Sequence, residues 1–263
     1  MGSPQFTDIL IHNNPNENHM KKVALITGAN KGIGLEIARQ LGKKDITIIA
    51  SGRSQERVQA AVDQLIGEGI DAHGLQLDLE APSTFAGAVK FVEDNFGKLD
   101  ILVNNAGVQI EADAWVGNTT EGISQEVLKR TFQINFFGLV ELTQLLLPFI
   151  KKSDAGRIVN LTSILGSLTL HATPGSPIYG TKMFGYNASK AAVNMFTIHL
   201  ADALKDTNIK VNSAHPGWVK TDMGGDDAMI GVEEGAKTAV DFALAGNDSP
   251  NAEYSHLGDI LPW

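Results

Sequence analysis

From Lys21 onward the chain alternates short β-branched runs with longer stretches of helical period, and that alternation leaves few folds open to it. Continuous apolar runs of four to six residues predict strands buried on both faces, and the amphipathic stretches between them predict crossover helices. The expected class is therefore α/β, a parallel sheet covered by helices on both sides. Strands are expected at residues 23–27, 46–50, 74–78, 101–104, 157–162 and 210–214, with a seventh near the C-terminus. Helices are expected at residues 34–42, 55–67, 82–96, 125–152, 186–207 and 232–245. Residues 1–19, rich in Asn and Pro and without apolar period, are expected to be a disordered leader outside the fold. That leaves residues 20–263 as one domain.

Composition narrows the function. Lys and Arg number 21 against 30 Asp and Glu, a net charge of −9, which argues against nucleic acid or an anionic membrane as partner. The absence of cysteine excludes disulfides and thiolate metal sites, and the seven histidines have no metal-like spacing, so no metal is expected. No run of eighteen apolar residues and no secretory pattern is present, so a cytoplasmic protein is expected.

The first strand runs directly into Thr27-Gly28-Ala29-Asn30-Lys31-Gly32-Ile33-Gly34, where a helix begins. Glycines in such a turn let the backbone approach a pyrophosphate, and the helix start offers free N–H groups and the positive end of its dipole. This outlines a dinucleotide site, although Gly-x-x-x-Gly-x-Gly is not the common Gly-x-Gly-x-x-Gly spacing. The second strand ends Ala50-Ser51-Gly52-Arg53-Ser54 with no carboxylate, so it lacks the acid that would hold the 2′-hydroxyl of NAD. Arg53 and Lys31 could together meet the 2′-phosphate of NADP, which predicts NADP(H) in preference to NAD(H).

Tyr186 and Lys190 stand four apart near the start of a predicted helix, on one face. A cation beside a phenol favours the phenolate, so the expectation is a tyrosine with a lowered pKa acting as general acid and base. Tyr179 is a rival with Lys182 only three residues on, and Pro174 and Pro177 upstream disfavour a helix there.

Six motifs then occur in one order: the turn 27–34, Asn104-Asn105-Ala106-Gly107 at a strand end, Asn135, Ser163, Tyr186 with Lys190, and Pro216-Gly217-Trp218-Val219-Lys220-Thr221. The order resembles the short-chain dehydrogenases/reductases in their compact branch, and the glycine turn and Pro-Gly-Trp-Val-Lys-Thr-Asp-Met are similar to carbonyl reductases. The resemblance implies a single-domain Rossmann fold, a doubly wound parallel sheet of about seven strands. It also implies a catalytic tetrad of Asn135, Ser163, Tyr186 and Lys190. In it Tyr186 gives a proton to a carbonyl oxygen, Ser163 holds that oxygen, Lys190 bonds the nicotinamide ribose and Asn135 keeps a relay water. Gly28, Asn30, Lys31, Gly32, Ile33, Gly34 and Arg53 would bind the cofactor phosphates. Asp78 and Leu79 would flank the adenine, and Asn105, Ala106 and Gly107 would line the cofactor. Pro216, Gly217, Val219 and Thr221 would also contact it, with Thr221 bonded to the carboxamide.

The implied activity is reduction of a ketone or aldehyde to an alcohol, with a small-molecule substrate and a homodimer or homotetramer as assembly. Ser163 and Tyr186 are 23 positions apart, about ten more than is usual in that branch, which places an extra loop at residues 170–185. Residues 108–122, 170–185 and 217–231 are expected to shape specificity, with Trp115, Trp218 and Met223 as pocket or lid residues. Two other readings stay open on the same fold: a non-catalytic nucleotide sensor, and an epimerase or dehydratase of the extended branch.

Overall fold

The strands carry the alternation that burial on both faces demands, and β1 (Val23–Ile26) shows it most plainly. Val23 and Leu25 point to one side and Ala24 and Ile26 to the other, and each pair enters a separate apolar core. The computed structural model describes residues 21–111 and 120–263. The expected leader at residues 1–19 and Trp115 lie outside the described residues.

Eight strands form one sheet in the order β3-β2-β1-β4-β5-β6-β7-β8. After β1 come β2 (Thr47–Gly52), β3 (Ala72–Gln76), β4 (Ile101–Asn104), β5 (Arg157–Leu161) and β6 (Lys210–Ala214). All of these pair in parallel, as does β7 (Tyr254–His256) against β6. The eighth strand, β8 (Asp259–Ile260), turns back antiparallel on β7 and is only two residues long. The protein is thus a single α/β Rossmann-like domain with a mostly parallel sheet.

Helices α1 (Gly32–Gly42), α2 (Gln55–Gly67) and α8 (Val232–Leu244) cover one face through Ile37, Leu41, Val58, Val62, Leu65 and Phe242. Helices α3 (Phe85–Asn95), α5 (Gly138–Ile150) and α7 (Phe184–Ala203) cover the other through Phe85, Val92, Leu142, Leu146 and Ala201. A short α4 (Gln125–Phe132) leads into α5, and α6 (Leu168–Ala172) lies in the loop before α7. Strand order reverses between β1 and β4, where a parallel sheet opens a crevice at the carboxyl ends of its strands.

Several boundaries differ from expectation: β3 lies two residues earlier than the expected 74–78, α1 starts two residues earlier and α7 ends at Ala203. The stretch 82–96 opens as a 3-10 turn (Pro82–Thr84), with Pro82 at a first-turn position where its missing N–H costs nothing, and the α-helix starts at Phe85. Residues 125–152 are not one helix: a π-turn (Gln133–Phe137) separates α4 from α5. The last helix before β6 begins at Phe184, two residues earlier than expected, so Tyr186 sits in its first turn. The run Gln125–Ile150 is long and apolar enough to cross a membrane by length and composition, yet half of its most apolar window is buried inside the fold. Here it serves as a core layer.

Candidate active site

A cleft of about 830 Å³ opens along the carboxyl ends of β1, β2, β4 and β5. Its phosphate-like end is the β1–α1 turn. Gly28 has φ +67°, a conformation that glycine alone adopts without strain, and a Cβ on Gly34 would sit 2.4 Å from Asn105 Nδ2 and 2.5 Å from the Gly28 carbonyl. The turn is tied to the loop after β4 by side chains. Thr27 Oγ1 accepts from the N–H groups of Asn105 and Ala106, both at 3.0 Å, and Asn105 Nδ2 donates to the Thr27 carbonyl at 2.8 Å. The result is a bare backbone cradle at the N-terminus of α1, which suits a pyrophosphate.

Gly28, Asn30, Lys31, Gly32, Ile33, Gly34, Arg53, Asp78, Leu79, Asn105, Ala106, Gly107, Tyr186, Lys190, Pro216 and Thr221 all line this one cleft. Gly217 and Val219 do not line it. Gly217 turns the chain with φ +88°, and Val219 is buried, with its side chain against Gly235, where a Cβ would come within 2.6 Å. Trp218 turns its indole to the Gly224 carbonyl, donating at 2.8 Å, and is not in the lining, whereas Met223 is.

Two side chains at the cradle were not singled out from sequence. Arg57, in the first turn of α2, lines the same cleft as Arg53, which precedes the helix cap Ser54. Asp222 also lines it and forms an ion pair with Lys31. That pairing joins positions 191 residues apart and had no local signal.

At the far end Tyr186 and Lys190 are buried at 7% and 5% exposure. Lys190 Nζ donates to the Leu161 carbonyl at 3.0 Å and lies 5.7 Å from the Tyr186 ring centre. Burial pushes the Tyr186 phenol up to about 12, while hydrogen bonding with the Ser163 side chain pulls the other way. This corrects the expected lowering. Desolvation outweighs any cation effect, and the same burial brings Lys190 down to about 8, so the lysine is itself only partly charged at that pH. A phenol held this high keeps its proton across the ordinary pH range.

Ser163 and Asn135 are not among the residues that line the cleft, but their chain neighbours Thr162 and Ile134 are. The Ser163 carbonyl accepts from the Tyr254 hydroxyl at 2.6 Å, and Tyr254 in turn stacks on Trp263 at 5.2 Å between ring centres. Asn135 is fully buried in the π-turn. Its amide donates to the Val108 carbonyl at 2.9 Å and to Ser189 Oγ at 3.0 Å, and its oxygen accepts from the Val108 N–H at 2.8 Å. A Cβ on Gly107 would meet both Asn135 Oδ1 and Lys190 Nζ at 3.4 Å, so these two groups flank one glycine. Such turns recur at functional sites because the wider ring re-aims a side chain. Tyr179 lies elsewhere, exposed on the loop with Lys182 Nζ 4.8 Å over its ring.

His215 is buried and kept neutral, its pKa brought down to about 3 by burial and by neighbouring His256. Its Nδ1 accepts from the Gly217 N–H at 3.3 Å, so it braces the turn before the cleft.

A glycine cradle with cations at one end and a buried Tyr-Lys pair at the other defines a nucleotide-binding oxidoreductase class. Comparison with known proteins narrows it. The short chain dehydrogenase family matches residues 22–228, and the chain belongs to that family. The short-chain dehydrogenase anuI of Penicillium roqueforti is 36% identical over 246 residues, spanning 91% of this chain and 94% of that protein. Carbonyl reductase [NADPH] 1 of Mus musculus is 32% identical over 286 residues, spanning 92% and 99%. Among solved structures, salutaridine reductase from Papaver somniferum superposes with a TM-score of 0.75 at 29% identity, covering 88% of this chain and 98% of that one.

Proposed function

We propose that this protein is an NADPH-dependent reductase of small ketones or aldehydes, with Tyr186 as proton donor. The observation that carries the reading is Tyr186, buried at one end of a dinucleotide-sized cleft with Lys190 Nζ 5.7 Å from its ring centre, its phenol pushed up to about 12 by that burial. The cleft fits the cofactor in three respects: a backbone cradle with no room for a Cβ, a helix N-terminus, and Arg53 and Arg57 at one end. When bound, the dinucleotide supplies hydride to the carbonyl carbon.

The chain's own residues do the rest. Tyr186 gives its phenolic proton to the carbonyl oxygen as negative charge grows there, and Ser163 Oγ steadies that oxygen. Lys190, anchored on the Leu161 carbonyl, holds the ribose side and adds positive charge near the phenol. Asn135 keeps Val108 and Ser189 in register with the Tyr-Lys helix and marks the start of the proton relay. Arg53 and Arg57 favour the 2′-phosphate.

We place the enzyme in the cytoplasm, with residues 20–263 as its working domain. We also expect a homodimer or homotetramer through α5 and α7, where Leu145 and Met195 are exposed. A monomer mass in light scattering would exclude that assembly. The activity is tested with a panel of ketones, quinones and aldehydes, each mixed with NADPH or NADH and followed by cofactor absorbance. Carbonyl-dependent oxidation of NADPH, slower with NADH, is the expected result.

A further inference from the structure

The helix that carries Tyr186 has no cap of its own. The residue before it, Met183, offers no side-chain hydrogen bond to the helix start, and the first N–H groups of any helix lack partners within it. Glu111, 74 residues back on the loop after β4, supplies them: one carboxylate oxygen accepts from the Gly185 N–H at 3.0 Å and the other from the Tyr186 N–H at 2.7 Å. Glu111 is buried at 7% exposure, and its charge faces the positive end of the α7 dipole. The fit is close. A Cβ on Gly185 would come 3.3 Å from Glu111 Oε2 and 3.0 Å from Ile123 Cδ1, so glycine there is what admits the carboxylate.

The same loop is held a second time three residues earlier, where Asn135 clamps both polar groups of Val108. Its preceding residues, Asn105 to Ile110, form the cleft wall. We propose that Glu111 is a positioning residue for Tyr186: it ties the main chain of the proton donor to the loop that lines the cofactor cleft, and so fixes the distance between the phenol and a bound carbonyl. A misplacement of about 1 Å in such a geometry lowers turnover on the order of a hundredfold. This inference rests on Tyr186 being the proton donor.

The test uses the whole chain as Glu111→Gln, Gly185→Ala, Tyr186→Phe and the double variant Glu111→Gln/Tyr186→Phe. Turnover is measured with NADPH and the best substrate of the panel, NADPH affinity by fluorescence, and folding by thermal unfolding. Glutamine keeps the volume but offers one acceptor where two are needed. The expected result for Glu111→Gln is a fall in kcat of about tenfold or more with NADPH affinity within about twofold, and Gly185→Ala should move the same way. In the Tyr186→Phe background the same change should have no further effect on the residual rate, since the group it positions is gone.

An unchanged kcat in folded Glu111→Gln would overturn the proposal, as would a loss that persists undiminished without the phenol or that tracks NADPH affinity. The Tyr186→Phe arm alone reads the underlying assignment. Full activity there would overturn both.

Discussion

The two ends of the cleft are built on opposite principles. At the reactive end Tyr186, Lys190 and Ser163 are all less than 9% exposed, and each is held by hydrogen bonds, Lys190 and Ser163 to the sheet and the Tyr186 N–H to Glu111. At the cradle end the Lys31 and Asp222 side chains pair at 58% and 81% exposure. Burial makes the first end sensitive to proton position, because desolvation shifts Tyr186 and Lys190 in opposite directions. Exposure makes the second end a matter of summed charge, screened by salt and tolerant of rearrangement. One end should therefore govern rate and the other cofactor choice.

The sharpest break in that division is Lys190→Met, which keeps the bulk of the side chain and removes the ammonium. We expect kcat to fall by about two to three orders of magnitude, with NADPH still bound. Loss of cofactor binding with kcat intact would reverse the roles of the two ends. Next comes Arg53→Ala with Arg57→Ala. Charge-assisted bonds to a phosphate contribute roughly 1 to 3 kcal/mol each, so the pair should raise KM for NADPH about a hundredfold or more and leave NADH nearly unchanged. Arg53→Asp is the stronger form of this test. An acid at Gly52 would have to push the Asn30 side chain aside, since a Cβ there would meet Asn30 Oδ1 at 2.8 Å.

The third expectation concerns pH. Lys190 holds its proton below about 8 and loses it above, whereas Tyr186 stays protonated to about 12. Reductive kcat/KM should be level on the acid side of 8 and fall about tenfold per pH unit beyond it, and Lys190→Met should abolish that fall. A decline beginning only near 10 would place the controlling group elsewhere. The smallest effect is Asp222→Asn, which frees Lys31 for the phosphate. KM for NADPH should drop only a few-fold, and added salt should erase the difference. A change in kcat would show that Asp222 reaches the reactive end.

Much of this arrangement is legible before any coordinates. The period of β1 and its neighbours, the glycine turn and the four-residue spacing of Tyr186 and Lys190 are local patterns, and the elements they announce are present with their starts shifted by up to about two residues. What the chain conceals is long-range or collective. The Lys31–Asp222 pair and the Glu111 carboxylate at Gly185 join segments that touch only after folding. The π-turn around Asn135 has no residue signature, because one extra residue in a helical ring is decided by packing against Val108 and Ser189. The direction of the Tyr186 shift depends on burial, which spacing does not reveal. The eighth strand is two residues long, too short for any period to register.

The most direct test of the account is Tyr186→Phe, measured for kcat and for NADPH affinity in the same preparation, with Tyr179→Phe beside it. The phenol's oxygen is the only atom removed from the cleft. In Tyr186→Phe, kcat should fall by about three orders of magnitude with NADPH affinity within about twofold, and Tyr179→Phe should behave as wild type. Turnover close to wild type in Tyr186→Phe would contradict it, because the buried proton donor on which the proposed chemistry depends would then be dispensable.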